Sequence, residues 1–166
     1  MSSECACLIV ADESPEFPAA LTYAASLAKG AGWNLIMLRV IEPSEPAPWA
    51  SISEEIRRQA HAAAESLTQR FAAEIWAECG IAAASVIREG ELRPELRKLL
   101  DEEKTINLVV LASSPGAGGP GPLVASLAKG QGLGVRPVPV VVLPGSLSKD
   151  DARALPKPII SAEPSA

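Results

Sequence analysis

At 166 residues, 48% of them hydrophobic, the chain has the apolar content for one core and too little length for two domains. A net charge of -5 with 21% charged residues excludes the basic face that nucleic-acid binding requires. No run nears the ~18 consecutive apolar residues of a membrane-spanning helix.

The opening segment MSSECACLIVA has no basic region before a short apolar stretch, so a secretory signal is not expected there. Cys5 to Ala11 is a short apolar run and predicts a buried strand. Asp12-Glu13-Ser14-Pro15 is a turn. From Phe17 to Lys29 the apolar residues Phe17, Leu21, Ala24, Ala25 and Ala28 recur at helical spacing, and Gly30 and Gly32 are expected to stop that helix. Trp33 to Glu42 predicts a second strand. Pro43 to Ser53 carries three prolines and reads as loop.

Ser51 or Ser53 can cap a long helix running to Cys79, with an apolar stripe at Ile52, Ile56, Ala60, Ala63, Leu67, Phe71 and Ile75. Gly80 ends it. Ala83 to Gly90 predicts a third strand, and Leu92, Leu96, Leu99 and Leu100 mark a third helix. Ile106 to Ser113 is a fourth strand, Leu123 to Lys129 a fourth helix, and Val138 to Gly145 a fifth strand. Beyond it, Ser148-x-x-Asp151 can cap one short turn, in a tail otherwise rich in Pro, Ser and Ala.

Helices between apolar strands force crossover connections. The expected fold is therefore α/β: one domain over residues 1–145 with an open, five-stranded, mainly parallel sheet sandwiched by helices, then a flexible tail over residues 146–166. In such a sheet ligands collect outside the carboxyl ends of the strands, where strand order reverses. Ala11 to Ser14, Val40 to Glu42 and Ala112 to Ser126 must converge there. The last stretch runs from a buried strand through SSPGAGGPGP into a short helix, a pattern suited to holding an anion on backbone N–H groups.

This organisation resembles the universal stress protein family over roughly residues 5 to 145. The carriers are LIVADESPEFPAALTYAASLA, LIMLRVIEP, VIREGELRPELRKLL and LVVLASS…GPLVASLAKG…VPVVVLPG, in that order. The resemblance implies a Rossmann-like fold of the adenine nucleotide alpha hydrolase type and an adenosine phosphate, ATP or AMP, at the carboxyl rim. It implies that Asp12, with Glu13 beside it, faces the nucleoside and that the backbone at Val40 touches the adenine. The family's phosphate loop follows G-x2-G-x9-G-[ST]. Its first glycine falls here on Ala112, its second on Pro115 or, with a one-residue shift, on Gly116, and its third on Ala125, followed by Ser126. Alanine adds a methyl group and proline removes an N–H donor. Ser113, Ser114, Gly116, Gly118, Gly119 and Gly121 offer an alternative cradle. The resemblance also implies a homodimer paired through the strand Pro139–Leu143, a two-fold contact being the commonest assembly. The alternative is an edge covered by the tail through Ile159-Ile160.

Several other motifs carry less. Gly116-Ala-Gly118-Gly-Pro-Gly121 matches G-x-G-x-x-G, but it lies in the last βαβ unit, and the position about 20 residues on is Val141 rather than an acid. Asp12 with Glu13 matches an acidic phosphoacceptor pocket only if a lysine ends a later strand, and none does. Asp12 reads equally as a turn residue, and Ser126 as a local hydrogen-bonder. His61, the single histidine, reads as a solvated or partly packed helix residue, and Arg57-Arg58 as a solvated helix edge. Trp33, Trp49 and Trp76 are too scattered to form a stacking platform. Cys5, Cys7 and Cys79 lack CxxC spacing and read as reduced thiols of a cytoplasmic protein, with no metal site.

No nucleophile–base constellation is visible, so the expectation is a non-enzymatic stress-response module, any ATP hydrolysis being slow. Two further readings stand beside it. One is a nucleotide-independent homodimeric interaction module with a degenerate loop. The other is a small hydrolase of the related superfamily.

Overall fold

The computed structural model describes residues 5–43 and 49–157. Ten elements alternate along the chain: β1 (Ala6–Val10), α1 (Phe17–Ala31), β2 (Asn34–Ile41), α2 (Ala50–Cys79), β3 (Ala83–Glu89), α3 (Leu92–Glu102), β4 (Ile106–Ala112), α4 (Pro122–Ala128), β5 (Val140–Leu143) and α5 (Lys149–Ala154). The strands form one sheet in the order β3-β2-β1-β4-β5, and all four pairings are parallel.

The central strands are apolar at successive positions because both of their faces are covered. Cys7, Ile9, Met37 and Val110 point to one side, where α1 and α2 supply Phe17, Leu21, Phe71 and Ile75. Leu8, Leu38, Val109 and Leu111 point to the other, against Leu96, Leu99 and Leu100 of α3 and Leu123 of α4. Phe17 and Phe71 meet edge to face, 4.6 Å between ring centres.

The helix ends follow the glycines with one adjustment. α1 runs through Gly30 and stops at Gly32, whose φ of 70° is the left-handed cap conformation. The cap of α2 differs from expectation. Trp49 is the cap, in extended backbone, and its carbonyl accepts from the N–H groups of Ile52 and Ser53. Ser51 and Ser53 therefore lie inside the first turn, and neither serves as the cap.

The α2 stripe is buried only in its second half. Ala64, Leu67, Phe71 and Ile75 are in the core, whereas Ile52 and Ile56 are 43% and 40% exposed and Ala63 is exposed. Length explains this. Thirty helical residues span about 45 Å, against about 26 Å for the eight residues of β2. Since α2 starts at the carboxyl end of β2, its N-terminal half overhangs that rim.

The chain after Gly145 is held more firmly than a flexible tail. Ser148 and Asp151 form a reciprocal cap, and α5 lays a fully buried Ala152 against α1. Lys149 reaches Glu78 of α2 at 2.9 Å. The folded unit thus extends at least to Ala154. Ile159-Ile160, named above as a cover for the sheet edge, lie outside the described residues. The fifth strand is shorter than Val138 to Gly145 and forms one edge of the sheet, with Val142 41% exposed.

Candidate functional site

The connection from β1 leads through α1 to β2 on one side of β1, while β4 lies on its other side. Strand order therefore reverses between β1 and β4, and the crevice opens at their carboxyl ends. The structure brings Asp12, Val40 and Ala112 to that rim, where they line two adjoining cavities that share Val10, Asp12 and Leu92.

The larger cavity, ≈ 430 Å³, lies between the ends of β1 and β2 and the overhanging half of α2. Val40 and Leu67 give it an apolar floor. Ala60 and Ala63 make it roomy, because α2 carries single methyl groups where it faces the rim. Its charged lining is Asp12, Glu13, Glu42 and Arg39. The Arg39 guanidinium donates from Nη1 to the carbonyl of Ala11 at 3.3 Å, and its Nε is buried with no partner among the described residues.

Asp12 serves the turn and keeps an oxygen free for other work. Its Oδ1 accepts from the Ser14 N–H at 2.9 Å and from the Ser14 hydroxyl at 2.5 Å, so Oδ2 stays outside this turn.

The smaller cavity, ≈ 130 Å³, lies over the β1/β4 crevice. Val110 and Ala112 line it from β4, Glu16 and Phe17 from the start of α1, and Ser114 and Gly121 from the β4–α4 loop. Glu16 is only 6% exposed, and its Oε1 accepts the Ser114 hydroxyl at 2.6 Å. The loop is closed by the Ser114 N–H on the carbonyl of Pro120. Its root is anchored by the Ser113 N–H on Leu143. Gly145 packs directly on that root: a Cβ there would stand 1.9 Å from the Ser113 oxygen.

The remaining expected loop residues lie elsewhere. Gly116 and Gly118 sit at the exposed tip and line neither cavity. Ser113 contributes through its backbone anchor. Ala125 and Ser126 fall in the second turn of α4, and the Ser126 hydroxyl donates back to the carbonyl of Pro122 at 2.9 Å, the local role. The helix begins earlier than the motif spacing implies, because Pro122 suits the first helical position, and Gly121, at φ 95°, is the residue that meets the cavity.

Sequence reasoning missed Glu16 and Arg39. Arg39 had a legible signal, a lone charge inside the apolar run of β2. Glu16 had none beyond its place just ahead of α1.

A second polar cluster braces the overhang. Arg57 donates to both carboxylate oxygens of Glu89, at 2.7 and 2.5 Å, and His61 Nε2 lies 2.5 Å from Glu89 Oε1. These hydrogen bonds, from Arg57 first and His61 second, hold the Glu89 carboxyl down at about 2. His61, partly packed, and Arg57, on the exposed helix edge, are thus paired across to the end of β3. In the core under α1 and α2, burial pushes the Cys7 thiol up to about 12, so it stays neutral. Among the described residues no three or more His, Cys, Asp and Glu side chains cluster as metal ligands.

Residues 6–144 match the model of the Universal stress protein family. No curated protein matches the chain. Among solved structures, universal stress protein UspA from Lactobacillus plantarum superposes with a TM-score of 0.69 at 18% identity, over 84% of this chain and 97% of that one. The universal stress protein from Archaeoglobus fulgidus in complex with dAMP gives 0.59 at 13% identity, over 83% and 96%. A universal stress protein family member from Arabidopsis thaliana with AMP bound gives 0.56 at 14% identity, over 84% and 91%.

Proposed function

We propose, from the premise that this chain belongs to the universal stress protein family, that its rim cleft binds an adenine nucleotide of the AMP or ATP type by the adenosine part and so sets the state of a stress-response module. One observation carries this reading. Asp12, Val40 and Ala112, distant in sequence, meet at the reversal point of the sheet around two adjoining cavities, the larger of ≈ 430 Å³. The structural neighbours with dAMP and AMP bound support it. The larger cavity suits a flat base against Val40 and the α2 alanines. Asp12 Oδ2 suits a sugar hydroxyl.

The site is one for binding rather than turnover. One oxygen each of Asp12 and Glu16 accepts from Ser14 and Ser114, Asp12 Oδ2 is left for the sugar, and His61 is engaged with Glu89 outside both cavities, so no histidine base faces the cleft. The three free thiols suit a cytoplasmic setting.

A ligand that binds only the folded chain raises its melting temperature in proportion to occupancy. AMP, ADP and ATP at millimolar concentration are expected to raise it saturably, and GMP much less. A flat response to all the adenine compounds supports the second reading, a nucleotide-independent homodimeric interaction module. That reading is favoured by the displaced Ser126. Both readings place a second copy of the chain along Pro139–Leu143. Sedimentation is expected to give a dimer that Val142→Lys dissociates. A monomeric unaltered chain contradicts the pairing.

A further inference from the structure

We infer that α5 is a releasable strap, and that its docking on α1 holds the root of the β4–α4 loop through the turn at Gly145. The strap lies beyond the stretch that matches the family, which ends at residue 144, so it belongs to this chain's own extension. It stands without a ligand; its effect on binding rests on the nucleotide reading above.

α5 covers a face that α1 could not leave bare. Leu21, Ala24 and Ala28 share the inward face of α1, yet Ala19 and Tyr23, on the far side at helical spacing, are also buried. α5 packs on α1, and the Lys157 ammonium just past it stands 5.7 Å over the Tyr23 ring.

The hold on α5 is light. Its six residues are too few for a helix to persist alone. Its buried side chain is the single methyl of Ala152, with Leu147 and Leu155 half-buried on either side. The rest of the hold is charge. Lys149 reaches Glu78 at 2.9 Å and Glu74 at 3.8 Å, and Arg153 reaches Glu78 at 3.8 Å, all of them partly exposed and open to screening. Such an element belongs to the low end of local stability.

Release reaches the loop through the backbone. The Leu143 carbonyl accepts the Ser113 N–H at 2.8 Å, and two residues on, Gly145 sits so close to Ser113 and Pro115 that no side chain fits. The Leu147 N–H then closes a turn on the carbonyl of Pro144, and Leu147 packs against the core. While α5 is docked, Gly145 is fixed from both ends. Once α5 leaves, only the pairing of β5 keeps it on the loop root, and Ser114 and Gly121 on the wall of the smaller cavity lose order.

Amide exchange followed by NMR on the full chain, without ligand, tests the strap. Lys149→Glu with Arg153→Glu turns attraction to Glu74 and Glu78 into repulsion at exposed positions. The Ala152 and Leu155 amides, bonded within α5, and the Ser113 and Ser114 amides of the loop are expected to exchange about tenfold faster together, with β1 and α3 unchanged. If β1 and α3 also speed up, Lys149→Gln with Arg153→Gln, which removes the attraction without adding repulsion, is read instead. Unchanged α5 amides, or a freed α5 beside an unchanged loop, overturn the inference. Calorimetry with AMP reads the link to the site: the reversed chain is expected to bind about fivefold more weakly, because the loop must then be ordered on binding. Equal binding beside a loosened loop overturns that link. No AMP binding by the unaltered chain counts against the nucleotide reading alone, and the exchange rates still decide the strap.

Discussion

Glycine 145 shows how a single residue positions the rim without touching a ligand. It follows β5, yet it packs on Ser113 and Pro115 at the root of the β4–α4 loop, where an added methyl would overlap the Ser113 carbonyl. Gly145→Ala is expected to destabilise the chain by about 1–3 kcal/mol, as overpacking does, and to weaken ligand binding by moving the loop. Urea unfolding and calorimetry read both effects, and an unchanged midpoint refutes the contact. Glu89 makes a second test. Its carboxyl is held below the ordinary carboxylate value of about 4.3, so its ion pairs stabilise the fold above that pH and fade as pH falls toward 2. The stability gap between the native chain and Glu89→Gln, from urea midpoints, should be present at pH 6 and close on acidification. A constant gap speaks against the Arg57–His61 bracing.

At this scale the sequence was informative unevenly. Asp12, Val40 and Ala112 were legible because each directly follows or ends a buried strand, and strand ends converge in a parallel sheet. Ser126 was misleading because a motif spacing was carried across a loop whose helix starts at Pro122. Glu16 was invisible because its importance comes from Ser114, a residue 98 positions away.

Among elements, α2 is the one whose pattern says more than its packing. Its stripe repeats faithfully from Ile52 to Ile75, so periodicity assigns one buried face to the whole helix. The structure buries only the half that lies over the sheet, and periodicity cannot report where a sheet ends. The two halves should respond differently to truncation. Phe71→Ala is expected to cost about 3–5 kcal/mol, because Phe71 fills the core against Phe17. Ile56→Ala is expected to stay within about 0.5 kcal/mol. Equal losses, measured by chemical unfolding, would mean that the overhang is covered. The strands were the easiest elements to read, since uninterrupted apolar runs imply two covered faces. Their ends shifted by one or two residues, and β5 was shorter than its apolar run because Pro139 supplies a carbonyl to β4 but no N–H.

For the whole molecule, the sheet order β3-β2-β1-β4-β5 explains why a site exists at all. Parallel crossovers leaving β1 on one side and reaching β4 on the other open the rim, and the overhang of α2 deepens it. Alternation of strand and helix made the parallel sheet legible. It left the folding-back of α5 onto α1 unread, since residues 149–154 offer little apolar surface except Ala152. The overhang also offers the most direct check on the rim. Ala63 lines the larger cavity from an exposed position, so Ala63→Trp fills the cavity without entering the core. Titration of the native chain with adenosine should reveal one site per chain, and the same titration of Ala63→Trp, folded with an unchanged melting temperature, should reveal none. Equal binding by both proteins, or no binding by the native chain, would contradict a ligand held between β1, β2 and α2.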